Sequence, residues 1–306
     1  MKRLQILTIL TLSVFLGACA QNAIPGANGF SSKDVWLTSR GQRIPATWVT
    51  PTKNQTMPLV LLIHGHGGTR HEAGGFTRVA EGLARQGIAS IRMDFPGCGD
   101  SEEPFSKNNL SNMLLDVKAA QSYALKSGNI DTTRIGLVGF SMGGRLAMLL
   151  TQEGGDYAAL AMWAPSAVNG AGDMVKYLGG PAKYESMKNQ AKTEGFAPYT
   201  TFWGQKQQLG LQWFLDMENS RPLDAVQEFK GDIFVLYGDK DVVIPPRVSE
   251  LVLTNAKNAD IVKRYVVVGA DHGLGLFNDD HNSSRQAVDE TVRFLVGSLG
   301  GGAASL

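Results

Sequence analysis

Cysteine is nearly absent: the 306 residues contain two, Cys19 and Cys98. One pair at most excludes a disulfide framework, so stability must come from a buried core. Charge is also sparse. Only 19% of residues are charged and the formal net charge is +1, which supplies no electrostatic basis for a nucleic-acid partner. Histidine is limited to five positions, 64, 66, 71, 272 and 281, so candidate bases and metal ligands are few. There is no internal repeat and no long low-complexity segment. The apolar stretch from Leu4 to Leu16 is too short to span a bilayer comfortably.

What is present suits one large α/β domain with an insertion, or two small domains: 43% of the residues are hydrophobic. The N-terminus has the layout of a secretory signal, with Met1-Lys2-Arg3 ahead of the apolar stretch. That stretch ends in Leu16-Gly17-Ala18-Cys19, which resembles a bacterial lipobox. The resemblance implies a signal peptide over 1–18 and lipid on Cys19, hence a membrane attachment; plain secretion is the alternative. Ala20 and Gln21 follow the cysteine with no aspartate, a pattern similar to lipoproteins sent to the outer membrane of a Gram-negative envelope. Residues 19–32 read as a flexible tether, 33–299 as the folded domain, and 300–306 as a disordered tail.

Continuous apolar runs mark buried strands. They occur at Pro58–Ile63, Ile88–Phe95, Arg134–Phe140, Ala158–Trp163, Ile233–Tyr237 and Tyr265–Val268. An opening pair, Val35–Leu37 and Ile44–Val49, flanks the turn at Arg40-Gly41-Gln42. Helical patterns lie between at Thr77–Gln86, Leu110–Ser127, Ser141–Gln152 and Arg247–Ala256, with a last one at Ser284–Ser298. Such alternation predicts a doubly wound, mostly parallel sheet with ligands at the carboxyl ends of its strands. Residues 166–225 break the alternation. They have no clear buried strand and are rich in aromatics, so they read as a largely helical cap. Trp163, Phe202, Trp203 and Trp213 are its candidate pocket residues, although any single ring also suits plain packing.

The chemistry centres on Gly139-Phe140-Ser141-Met142-Gly143. The five residues lie between a strand and a helix, the setting of a nucleophile elbow. There a serine hydroxyl stands at a helix start, where backbone N–H groups favour developing negative charge. A serine nucleophile needs a base, and the base an orienting acid. His272 follows the last predicted strand; Asp239 and Asp241 follow the strand before it. The chain order is serine, acid, histidine.

Together these residues resemble the α/β-hydrolase family from about Asp34 to Leu299. The resemblance selects Asp241, ahead of Ile244-Pro245, as the acid. His64-Gly65-His66-Gly67-Gly68 is similar to the family's oxyanion loop, which implies the backbone N–H groups of His66 and Met142 as the oxyanion hole, with His64 bracing the loop. Asp94-Phe95-Pro96-Gly97-Cys98-Gly99-Asp100-Ser101 resembles a structural loop, in which Cys98 is expected to be inert. With Trp163-Ala164-Pro165 leading into the cap and Gly269-Ala270-Asp271-His272 near the end, the chain is most similar to the dienelactone-hydrolase-like and cinnamoyl (feruloyl) esterase-like group. Serine stands where dienelactone hydrolases proper have cysteine.

The implied activity is hydrolysis of a small-molecule carboxylic ester through Ser141, His272 and Asp241, with an acyl-enzyme intermediate and an apolar or aromatic acyl group. No cofactor and no metal are expected: no acid or thiol completes a set with His64, His66 and His71. The alternatives are a peptidase or amidase with the same triad, and a tethered, non-catalytic binding protein.

Overall fold

The computed structural model describes residues 29–53 and 55–300. The expected signal peptide, Cys19, the tether up to residue 28 and the tail from residue 301 lie outside these residues.

The sheet begins with an antiparallel pair, β1 (Phe30–Ser39) and β2 (Gln42–Pro51), joined at Arg40-Gly41. β1 therefore occupies Phe30 to Ser32, which the sequence assigned to the tether. The next strands, β3 (Met57–Ile63), β4 (Ala89–Met93), β5 (Ile130–Phe140) and β6 (Ala159–Trp163), coincide with the apolar runs. β3, β4 and β6 are buried along their whole length, as parallel strands covered on both faces are. β9 (Asp232–Gly238) and β10 (Val262–Val267) complete an eight-stranded sheet of order β1-β2-β4-β3-β5-β6-β9-β10. From β4 to β10 every neighbouring pair is parallel.

The covering helices are α1 (Gly75–Arg85), α2 (Leu110–Ser127), α3 (Met142–Leu150), α8 (Pro246–Asn255) and α9 (His281–Leu299). α2 has the expected bounds because its caps are explicit. Asn109 accepts from the Asn112 N–H at 2.9 Å, and Gly128 stands at the C-cap.

Between β6 and β9 the chain forms α4 (Gly172–Tyr177), α5 (Pro181–Glu194), the hairpin β7 (Phe196–Thr200) and β8 (Lys206–Gly210), α6 (Leu211–Asn219) and α7 (Pro222–Glu228). The hairpin is a departure from the largely helical cap. Its strands carry Pro198 and two glutamines and have no apolar run, so period-based reading passes over them. The two roots of the insertion meet where the Gly170 N–H donates to Ser220 O at 2.8 Å. The buried Arg145 of α3 ties both roots to the body. It donates to Val168 O at 2.8 Å, Gly170 O at 3.3 Å and Ser220 Oγ at 2.5 Å. Burial draws its pKa down to about 10.

Candidate active site

Ser141 follows β5 and caps α3 with φ 53° and ψ −112°. A non-glycine residue in that region stores about 1–3 kcal/mol of strain. The surrounding backbone holds it there: Ser141 N–H donates to Trp163 O at 2.8 Å, and Ser141 O accepts from Gly144, Arg145 and Ser166 N–H. Gly143 is obligatory for packing, since a Cβ there would lie 1.9 Å from Ile63 O. The half-buried serine thus stands at the carboxyl edge of the sheet, where β5 pairs with β3 and Gly143 packs against Ile63 and His64 O.

Asp241 and His272 come from the loops after β9 and β10. His272 Nδ1 donates to Asp241 Oδ2 at 2.7 Å, while Asp241 Oδ1 accepts from Val243 and Ile244 N–H at 2.9 and 2.8 Å. The carboxylate is fully buried and fully engaged. Asp239 points elsewhere, accepting from Gly269 N–H at 2.6 Å. The imidazole lies 5.0 Å from the ring of Phe140, the residue before Ser141. Among the described residues no hydrogen bond joins Ser141 to His272; such contacts often tighten only once substrate is bound.

His66 and Met142 offer free backbone donors: neither N–H has an acceptor among the described residues. Met142 is the first residue of α3, where N–H groups lack an intrahelical partner. The loop around His66 is braced from below. Gly65 N–H donates to Glu72 Oε2 at 2.8 Å, and Gly65 O accepts from Gly68 N–H at 3.0 Å and from His64 Nδ1 at 2.8 Å. Glu72 is buried, and burial pushes its carboxyl up to about 7. Sequence reading missed Glu72, because nothing but tertiary placement distinguishes it from a solvated acid.

The Asp94 loop is an ion-pair hub. Asp94 accepts from Arg70 N–H and Asp100 N–H and pairs with the Arg70 guanidinium. Cys98 is buried there, and burial pushes its thiol up to about 12, far from the reactive thiolate range.

The four candidate pocket rings separate. Trp163 is a core residue: it is fully buried, donates its indole N–H to Thr291 at 2.7 Å and packs against Phe76. As the last residue of β6 it points into the helix layer of α1 and α9, not toward the cap. Phe202 and Trp203 sit at the β7–β8 turn, 72% and 48% exposed, and pack on each other rather than lining an enclosed space. Trp213 of α6 is fully buried with its ring 6.1 Å from that of His66. A surface groove of about 790 Å³ between α1 and α9, bearing Arg78, Arg85, Arg285 and Arg293, contains none of these residues.

Comparison with known proteins identifies the family and the fold. The model of the alpha/beta hydrolase family matches residues 60–288. The quorum-quenching protein AidA of Acinetobacter baumannii is 31% identical over 133 residues, a match covering 43% of each protein. The chain therefore spans less than half the length of that relative. Among solved structures, Est1E from Butyrivibrio proteoclasticus with ferulic acid bound superposes with a TM-score of 0.72 at 22% identity, covering 87% of this chain and 99% of that one. The Pyrococcus furiosus esterase PF2001 gives 0.63 at 19% identity, covering 91% and 96%. At these identities the structural likeness speaks for the fold.

Proposed function

The chain belongs to the alpha/beta hydrolase family, and from that premise we propose that it is a serine esterase in which Ser141, His272 and Asp241 form the catalytic triad. The observation that carries this reading is the 2.7 Å hydrogen bond from His272 to the buried Asp241, beside the strained Ser141. In the proposed cycle His272 Nε2 takes the proton of Ser141 Oγ as that oxygen bonds to the ester carbonyl carbon. The carbonyl oxygen becomes an oxyanion held by the N–H groups of His66 and Met142. Asp241 keeps the proton on Nδ1 and stabilises the imidazolium. The C–O bond to the alcohol then breaks, and the alcohol leaves with the proton from His272. Water, deprotonated by His272, attacks the acyl-enzyme and releases the acid and free Ser141.

The substrate class in this reading is an ester of a small to medium apolar or aromatic acid. It is supported by Tyr177 and Trp213 of the cap, whose rings lie 6.1 Å from that of His66, and by the motifs similar to those of the feruloyl esterase-like group. We further propose that Cys19 carries lipid and anchors the protein in the cell envelope, on the strength of Leu16-Gly17-Ala18-Cys19.

The test is hydrolysis of p-nitrophenyl acetate, butyrate and laurate, methyl ferulate and an aminoacyl p-nitroanilide by the full chain in detergent, beside Ser141→Ala. Ester turnover that vanishes in the variant supports the reading. Anilide turnover above ester turnover replaces it with a peptidase. No Ser141-dependent turnover on any of them overturns it.

A further inference from the structure

The cap hairpin reaches down to the loop after β3 through a chain of side-chain hydrogen bonds whose direction is fixed. Gly67 O can only accept, so the amide nitrogen of Gln205 must face it, at 3.2 Å. Gln205 Oε1 is thereby turned outward, where it accepts from Gln207 Nε2 at 3.1 Å and from the Trp203 indole at 3.3 Å. Gln207 Oε1 is then left to face His66 Nε2 at 2.8 Å, so Nε2 carries the proton of that ring. Gln207 is buried, and the approach is close: a Cβ on Gly67, at φ 69°, would lie 2.3 Å from Gln205 Oε1. The His66 ring is walled by Phe105, Tyr177 and Trp213. Burial draws its pKa down to about 4, consistent with a neutral donor.

The peptide that presents the His66 N–H is thus held at two ends. The body grips its carbonyl, Gly65 O, through Gly68 and His64. The cap grips the residue itself. We propose that Gln207 is a positioning residue for the oxyanion hole: through the His66 imidazole, the cap hairpin aims the His66 N–H at the developing oxyanion. The inference rests on the esterase reading, in which that N–H is an oxyanion donor. It couples the cap to the chemical step and not merely to substrate binding. Interactions made only in the transition state change kcat, whereas uniform binding changes KM.

The experiment is a double-mutant cycle on the full-length protein with Gln207→Met and His66→Phe, which keep bulk but break the bond, both singly and together. The readouts are kcat and KM for p-nitrophenyl butyrate, and the affinity for a boronic acid that forms a tetrahedral adduct with Ser141 Oγ. Rates are expressed per serine labelled by a fluorophosphonate, so that misfolded protein does not count. Expected for Q207M is a fall in kcat of about 10- to 100-fold, part of the loss seen when an oxyanion donor is removed. KM should stay within about threefold, boronate affinity should fall in step with kcat/KM, and the double variant should be no worse than H66F. Should Q207M fold poorly, H66F carries the same kcat and boronate test. Unchanged kcat, a change confined to KM, or additive effects in the double variant overturn the inference alone. A wild-type chain without Ser141-dependent turnover overturns the esterase reading and this inference with it.

Discussion

The Phe95 N–H donates to His64 Nε2 at 3.1 Å, which leaves the proton of that buried ring on Nδ1, 2.8 Å from Gly65 O. Burial lowers the His64 pKa, so the ring is held neutral in a single tautomer. His64→Ala strands the buried Phe95 N–H and opens a cavity, while Gly65 O keeps the bond from the Gly68 N–H. We expect a loss of about 2–4 kcal/mol of stability, read as a lower urea midpoint.

The two aspartates after β9 should separate kinetically. Asp241→Asn keeps an acceptor for the Val243 and Ile244 N–H groups but reverses the tautomer demanded of His272. The comparable change in a serine protease lowers kcat by about 10⁴, and a fall of that order is expected on an activated ester. Asp239→Asn should stay within about threefold of wild type. Equal losses in the two variants would remove Asp241 from its role.

Glu72 predicts a specific pH dependence of stability. Its folded pKa is raised from 4.5 to about 7. Between those values the folded chain holds a proton that the unfolded chain has released, so stability falls as pH rises through this window. Below about 4.5 both states are protonated and the penalty vanishes; above 7 it is complete. Glu72→Gln abolishes the titration. Its stability relative to wild type should therefore rise from pH 5 to pH 8, by at most roughly 3 kcal/mol. Parallel urea curves at the two pH values would contradict this.

Gly143 and Gly297 should respond oppositely to alanine. At Gly143 the new methyl group would meet the Ile63 carbonyl at 1.9 Å, and neither backbone can yield. Gly143→Ala should cost several kcal/mol or prevent folding, in line with other overpacked cores. Gly297, on the exposed face of α9, has nothing within 4 Å. Gly297→Ala should raise stability by about 0.5–1 kcal/mol through helix propensity. Thermal melts of the pair check both.

The sheet was legible because its strands are continuous apolar runs, and the candidate triad because each member follows such a run. Asp241 could be told from Asp239 by its place before Ile244-Pro245, and the structure gives it the hydrogen bond to His272. The cap was not legible in the same way. Its hairpin is short and polar, so neither period nor composition marks it. Trp163 illustrates the complementary error: the run that announces a strand does not say toward which layer its last side chain turns. Arg145 and Gln207 escaped notice because their partners are distant in sequence, and Glu72 because its partner, seven residues away, is a backbone N–H that leaves no mark on residue pattern.

Arg145 sits one turn beyond Ser141 and grips both roots of the cap. A swing of the whole insertion about those roots would strip a buried guanidinium of its carbonyl acceptors, and such an uncompensated cation is costly. The far end is held as well: Phe202 and Trp203 face water, but Gln205 beside them donates to Gly67 O and Gln207 accepts from His66. The insertion is therefore stitched down along two separate seams, one to α3 at Val168, Gly170 and Ser220 and one to the loop after β3 through Gln205 and Gln207, and it behaves as a fixed roof rather than a hinged lid.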